Sequence, residues 1–213
     1  MRTLFLNPPS FEGFDGGAGS RWPASREIES YWYPVWLCYP AGMLADSKVV
    51  DAPPHKISIE QTVGMANDFE LLVLFTSTPG FSVDLKIAEM MKDANPKLKV
   101  AFVGPPVTVE PDKTLRMNPA IDFVVRREFD YQIAGFAQGK PLEELPGVSY
   151  RKNGSVIWEA TVEEPNNGYS VTLAPLVVKN IREWVCLDNV EQASRPKEAG
   201  DDLRPTLEVG EPA

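Results

Sequence analysis

The sequence has little of the two residues that most often hold metals. Its 213 residues include one histidine, His55, and two cysteines, Cys38 and Cys186. Two cysteines so far apart exclude a disulfide framework and a cysteine-rich metal centre. No Cys-x-x-x-Cys-x-x-Cys run is present to hold an iron–sulfur cluster through three thiolates. With one histidine and no Gly-x-Ser-x-Gly, a serine or cysteine triad has no support. No Gly-x-x-x-x-Gly-Lys-Ser/Thr occurs, which excludes a phosphate-binding loop of that kind. Positive charge is also short: 21 Lys and Arg stand against 30 Asp and Glu, for a net charge of −9. That balance excludes the electrostatic footprint of a nucleic-acid or anionic-membrane binder. No stretch approaches the ~18 apolar residues of a membrane span. The apolar run at Thr3-Leu4-Phe5-Leu6 stops at Asn7-Pro8-Pro9, too soon for a signal peptide. The expected compartment is therefore the cytoplasm. No internal repeat is evident.

What is present reads as an α/β domain. Hydrophobic residues make up 43% of the chain, ample for a packed core. Over the first ~150 residues strand-like and helix-like patterns alternate. Five apolar runs predict strands at residues 3–6, 48–51, 70–75, 99–103 and 121–125. The run Leu71-Leu72-Val73-Leu74-Phe75 is continuous rather than alternating, as a central strand buried on both faces should be. Val83, Ile87, Met90, Met91 and Ala94 line one face of a helix over 82–94, which Pro96 stops. Ser58 with Gln61 predicts a capping box opening a helix over 59–67. The apolar, aromatic segment 33–44 predicts a helix started by Pro34, which Pro40 should kink or divide. After Pro146, residues 147–158 predict a hairpin with Asn153-Gly154 at the turn. The expected architecture is a doubly wound, flavodoxin-like, mainly parallel five-stranded sheet over residues 1–146. A β-hairpin extension over 147–164 and an acidic, poorly structured tail over 165–213 are expected to follow.

In such a sheet, ligands bind outside the carboxyl ends of the strands. The turns at those ends supply the candidate residues. Asn7, Pro8 and Pro9 close the first strand and open a glycine-rich loop over 10–20, whose spacing is not that of a dinucleotide fingerprint. Thr76, Ser77 and Thr78 close the central strand, with hydroxyls suited either to a ligand or to capping the next helix. Gly104, Pro105 and Pro106 close the fourth, where glycine leaves backbone open to a ligand or serves a tight turn. Arg126 and Glu128 follow the fifth, as ligand contacts or as a solvated helix start. His55 stands four residues after Asp51, the spacing of an imagined imidazole–carboxylate pair toward a metal, although a histidine in a proline-rich turn is ordinarily a solvated loop residue. A receiver domain of similar topology would need acidic residues where this chain has Asn7-Pro8-Pro9 and Thr76-Ser77-Thr78.

Those turns, in their order, carry a family resemblance. Leu6-Asn7-Pro8-Pro9, then Tyr33-Pro34-Val35-Trp36-Leu37-Cys38-Tyr39-Pro40-Ala41-Gly42-Met43-Leu44, then Val49-Val50-Asp51-Ala52, are similar to cobalamin-binding domains that precede radical S-adenosylmethionine domains. The Thr76-Ser77-Thr78 turn, Val103-Gly104-Pro105-Pro106, residues 122–128 and Leu145-Pro146-Gly147-Val148 continue the likeness through about residue 158. Trp22-Pro23-Ala24-Ser25 and Trp32-Tyr33-Pro34 resemble the hopanoid-biosynthesis branch. The resemblance implies cobalamin lying across the strand ends, its nucleotide tail in a cleft beside the sheet. It also implies a cobalt without a protein histidine, since Asp-x-His-x-x-Gly is absent after the first strand. A following radical domain would bind a [4Fe-4S] cluster and S-adenosylmethionine. This chain has no motif for that cluster, so a radical domain on a separate chain and a truncated or frame-shifted gene product are both expectations here. By itself the chain is not expected to be catalytic. A flavin or nucleotide in the same crevice, or a non-functional remnant, are the alternatives.

Overall fold

In the computed structural model, residues 1–9, 11, 14–15, 22–23 and 34–159 are described. Most of the glycine-rich loop, residues 160–164 of the expected hairpin extension, Cys186, and the expected tail over 165–213 lie outside the described residues.

The strands are β1 (Thr3–Asn7), β2 (Phe14–Asp15), β3 (Trp22–Pro23), β4 (Ser47–Asp51), β5 (Leu71–Phe75), β6 (Lys99–Val103), β7 (Phe123–Val125), β8 (Val148–Lys152) and β9 (Ser155–Trp158). The helices are α1 (Val35–Gly42), α2 (Ile59–Gly64), α3 (Phe81–Ala94), α4 (Pro105–Val109), α5 (Pro111–Met117) and α6 (Asp130–Ala137). Seven strands form one sheet in the order β4-β1-β5-β6-β7-β8-β9, and β2 pairs with β3 in a separate two-stranded ribbon. The five strands from β4 to β7 are parallel, and β8 and β9 are antiparallel. The parallel part is the doubly wound order expected from the sequence. The hairpin turns at Asn153 and Gly154, both at positive φ. It pairs with β7 and so widens the same sheet.

Side-chain alternation along each strand makes two cores. Phe5, Val73, Ala101, Val103, Phe123 and Val125 pack beneath α1 and α6. Leu4, Leu6, Leu72, Leu74, Val100 and Phe102 pack on the other face, against Ala66 and residues of α3, α4 and α5. Leu71 to Leu74 are fully buried, which is why this strand reads as one unbroken apolar run.

The local signals behave as their chemistry dictates. Ser58 Oγ accepts from Gln61 N at 3.2 Å while Gln61 Oε1 accepts from Ser58 N at 2.8 Å, completing the capping box. The segment then tightens into a 3₁₀ turn over Met65–Asp68. Pro34 precedes α1, and Pro40 lies inside it without dividing it. No helix among the described residues is long and apolar enough to cross a membrane.

Candidate functional site

The switch point of this sheet lies at β1, whose neighbours β4 and β5 are reached by connections on opposite faces. The last residues of the strands there form a single row. Asn7 pairs in register with Asp51, Phe75 with Val103, and Val103 with Val125. Because Leu6 pairs with Leu74, Asn7 stands level with Phe75. Alternation from Phe5 and Val73 turns Asn7 and Phe75 toward the α1/α6 face. The row is polar at its β4/β1 end and apolar from Phe75 onward.

Asn7 is fully buried, and its Nδ2 donates to Asp51 Oδ1 at 2.6 Å. Its own Oδ1 has no partner among the described residues. Backbone locks the two strand ends together as well, with Ala52 N donating to Asn7 O at 2.9 Å. The α1 helix begins above this row. The Trp36 ring lies 5.2 Å from that of Phe75, and Phe75 lies 6.1 Å from Phe129 at the start of α6. Trp36 Nε1 and Gln132 Oε1, each in the first turn of its helix, are buried polar atoms without a partner among the described residues. Such atoms cost about 1–3 kcal/mol each when left unmade, so a natural chain keeps few of them without reason.

Two titratable groups lie at this end. Burial first, and the charge of Glu128 second, push the Asp130 carboxyl up to about 6. Burial, with the charge of Asp51 adding to it, pushes the Cys38 thiol up to about 11, so Cys38 is a packed thiol and not a nucleophile.

The other residues singled out from the sequence divide by what they touch. Pro8 and Pro9 are buried beside Asn7. Thr76 Oγ1 donates to Asp84 Oδ2 at 2.8 Å, tying the end of β5 to α3. Ser77 Oγ accepts from Gly80 N at 3.3 Å, and Thr78 is exposed. Gly104 has φ +114°, and a Cβ there would lie 2.2 Å from Thr76 O. The open space at this glycine is therefore taken by the neighbouring strand end. Pro105 is exposed at the start of α4 and Pro106 half-buried. The guanidinium of Arg126 donates to Glu159 O and lies 4.9 Å over the Trp158 ring, so it anchors the hairpin. Glu128 is exposed. His55 is exposed in the turn after β4, while Asp51 is buried and engaged with Asn7. The described residues contain no cluster of three metal-ligating side chains.

Trp36, Phe75, Phe129 and Gln132 were not legible as site residues. Their only sequence signal is that each lies at a strand end or in the first turn of the helix after one.

Comparison with known proteins places the chain in a family. A model of the B12 binding domain matches residues 22–137, just over half of the chain. An uncharacterized methyltransferase, PH0819, of Pyrococcus horikoshii is 28% identical over 165 residues, covering 73% of this chain and 34% of that protein. The radical S-adenosylmethionine methyltransferase TsrM of Kitasatospora setae, solved with cobalamin and a [4Fe-4S] cluster, is similar in fold. Its TM-score is 0.54 at 12% identity, over 79% of this chain and 30% of that one. The chain thus spans about a third of the length of either relative. A parallel sheet with its switch point at β1, a row of half-satisfied polar groups at that point, and the family match all agree: the chain belongs to the B12-binding domain family.

Proposed function

We propose that this chain is the corrinoid-holding module of a cobalamin-dependent radical S-adenosylmethionine enzyme. In this reading cobalamin lies across the carboxyl ends of β1, β5 and β6. The observation that carries it is the fully buried Asn7, whose Oδ1 has no partner among the described residues at the switch point of a B12-family sheet.

The residues present suit such a ligand. Unpartnered buried atoms on Asn7, Trp36 and Gln132 match the amides and hydroxyls of a corrinoid's side chains and nucleotide tail. The rings of Trp36, Phe75 and Phe129 offer flat apolar surface. The turns Asn7-Pro8-Pro9, Thr76-Ser77-Thr78 and Gly104-Pro105-Pro106 form the rim, with Arg126 and Glu128 beyond it. A bound corrinoid supplies a cobalt centre that can carry an alkyl group or electrons, and the protein binds it, orients it and excludes side reactions. The family likeness implies a cobalt without a protein histidine, and His55, exposed after β4, lacks the Asp-x-His-x-x-Gly setting of such a ligand. The [4Fe-4S] cluster and S-adenosylmethionine belong to a radical domain on further sequence or on a separate chain, because Cys38 and Cys186 cannot supply three thiolates.

The test is direct. Residues 1–213 are mixed with hydroxocobalamin, freed of excess by gel filtration, and read in the visible range. Corrinoid absorbance near one equivalent supports the reading. No retention by a folded protein, or a yellow flavin chromophore carried through purification, overturns it. The narrower assignment, hopanoid side-chain modification, rests on Trp22-Pro23-Ala24-Ser25 and Trp32-Tyr33-Pro34. Deleting the gene and finding the hopanoid side chains unchanged would refute it. A truncated or frame-shifted origin is tested by reading the downstream DNA for radical-domain sequence in any frame.

A further inference from the structure

Among the described residues the sheet ends at β9, which pairs only with β8. Glu159 N donates to Val148 O at 2.9 Å, which makes residues 148 and 159 a hydrogen-bonded pair of the antiparallel ladder. Such pairs alternate with non-bonded ones, so Ser155, Ile157 and Glu159 direct their backbone groups at β8. Val156 and Trp158 direct theirs the other way, onto an edge that no described strand covers.

The two edges of the sheet are guarded differently. β4, at the far edge, carries an exposed Lys48, and charge of that kind discourages a further strand. Ser155-Val156-Ile157-Trp158 holds neither charge nor proline. Its side chains are also incompletely covered. Val156 and Ile157 are half-buried against the two opposite cores. Trp158 is 50% exposed, although its Nε1 donates to Asp112 Oδ1 at 2.7 Å. An uncharged apolar edge with open donors and acceptors is a template for one more strand.

We infer that the β9 edge is a docking surface for the chain's own continuation, and that Tyr169-Ser170-Val171-Thr172-Leu173 adds to it as an antiparallel strand. The chain leaves β9 at Glu159 with residues 160–213 still to follow. Tyr169 to Leu173 alternate apolar with hydroxyl side chains and are rich in aromatic and β-branched types. Asn167-Gly168, directly before them, repeats the Asn-Gly of the β8–β9 turn. A return from the end of β9 runs antiparallel to it, as β8 does to β7 and β9 to β8. The pairing gives the backbone groups of Val156 and Trp158 their partners. It also extends cover over cores that β9 leaves half closed. Leu176-Val177-Val178 fits less well, because it follows Pro175 and does not alternate. A second copy offering its own β9 is opposed by the net charge of −9 on each chain. The docking holds whether or not the chain carries a corrinoid.

Amide hydrogen exchange, read residue by residue by NMR on the full 213-residue chain, tests this. The N–H groups of Val156 and Trp158 should exchange on the order of 10-fold or more below their unpaired rates, as a made strand hydrogen bond provides. Val171→Pro, which removes a donor and breaks the strand, should restore those rates. The N–H of Ile157, bonded within the β8–β9 ladder, should stay protected in both proteins and so report that the hairpin is intact. Val177→Pro, outside the proposed strand, should leave Val156 and Trp158 protected. Free exchange at Val156 and Trp158 in the unmodified chain overturns the inference. Protection that Val171→Pro leaves unchanged, or that Val177→Pro removes, overturns the choice of segment. Protection that rises with protein concentration overturns it in favour of a second copy.

Discussion

Gly104 offers the sharpest test of how the strand ends are packed. Its φ of +114° lies where L side chains rarely go, and a Cβ would stand 2.2 Å from Thr76 O. Three costs follow from Gly104→Ala. The backbone conformation itself costs about 1–3 kcal/mol for a residue with a side chain. Relieving the clash means moving packed strand ends by nearly an ångström, a repacking of about 1–3 kcal/mol. That movement also loosens the 2.9 Å bond from Thr76 N to Val103 O, worth about 1 kcal/mol. Together these give about 3–7 kcal/mol, a large share of the ~5–15 kcal/mol that holds a domain folded. Two other glycines serve as controls. Gly154 has φ +79° but nothing within 4 Å of its would-be Cβ, so Gly154→Ala should cost only its conformational strain, about 1–2 kcal/mol. Gly64 also has open space and a helical φ of −57°, so Gly64→Ala should stabilise by about 0.5–1 kcal/mol. Urea unfolding of the four proteins, followed by circular dichroism, gives the order Gly64→Ala, wild type, Gly154→Ala, Gly104→Ala. The last should unfold on the order of 1–3 M urea earlier than wild type. A Gly104→Ala protein as stable as Gly154→Ala would refute the close approach, and with it the account of this turn as set by Thr76.

Three further outcomes follow from single groups. Asp130 titrates near 6 in the folded chain against ~3.9 unfolded. Folding therefore favours its protonated form, and this support is whole below pH ~4 and lost as pH rises through 6. Asp130→Asn, neutral at every pH, should thus gain in Tm relative to wild type between pH 4 and pH 8, and parallel curves would contradict the shift. Cys38, with its thiol raised to about 11, should resist iodoacetamide at pH 8 in the native protein and label readily in urea, as peptide mass mapping would show. Ready native labelling would mean the thiol is neither buried nor raised. Ser58→Ala removes the Oγ acceptor of the capping box and should cost about 1 kcal/mol in urea unfolding; no change would mean that α2 does not depend on its cap.

How much of this was legible differs from element to element. β5 and β6 were readable because burial on both faces leaves an unbroken apolar run, and β6 matches its expected bounds at Lys99–Val103. The α3 helix was readable from its apolar spacing and from Pro96, and α2 from the Ser58–Gln61 box. The short helices α4 and α5 leave no such signal, and α6 shows only as the charged run after β7, one of two readings of Arg126 and Glu128. Two begin at prolines or hold few turns, and too short a pattern shows no period. The ribbon of β2 and β3, two residues per strand, is likewise too short to leave an alternation.

The site divides along the same line. From the sequence alone came the class of fold, the turns that stand at the strand ends, the lack of any catalytic constellation, and the ordered likeness to cobalamin-binding domains. Those are properties of local runs and of residues counted in order. Only the tertiary structure paired Asn7 with Asp51 across 44 residues, set Phe75 beside Trp36, closed Gly104 against Thr76 O, and engaged Arg126 with the hairpin. Each of these depends on strand register and on which face a side chain takes, where a shift of one residue would exchange every partner. The unpartnered acceptor on Asn7 arises in this way: its amide nitrogen is claimed by a strand far off in the chain, and only the folded sheet leaves the oxygen over.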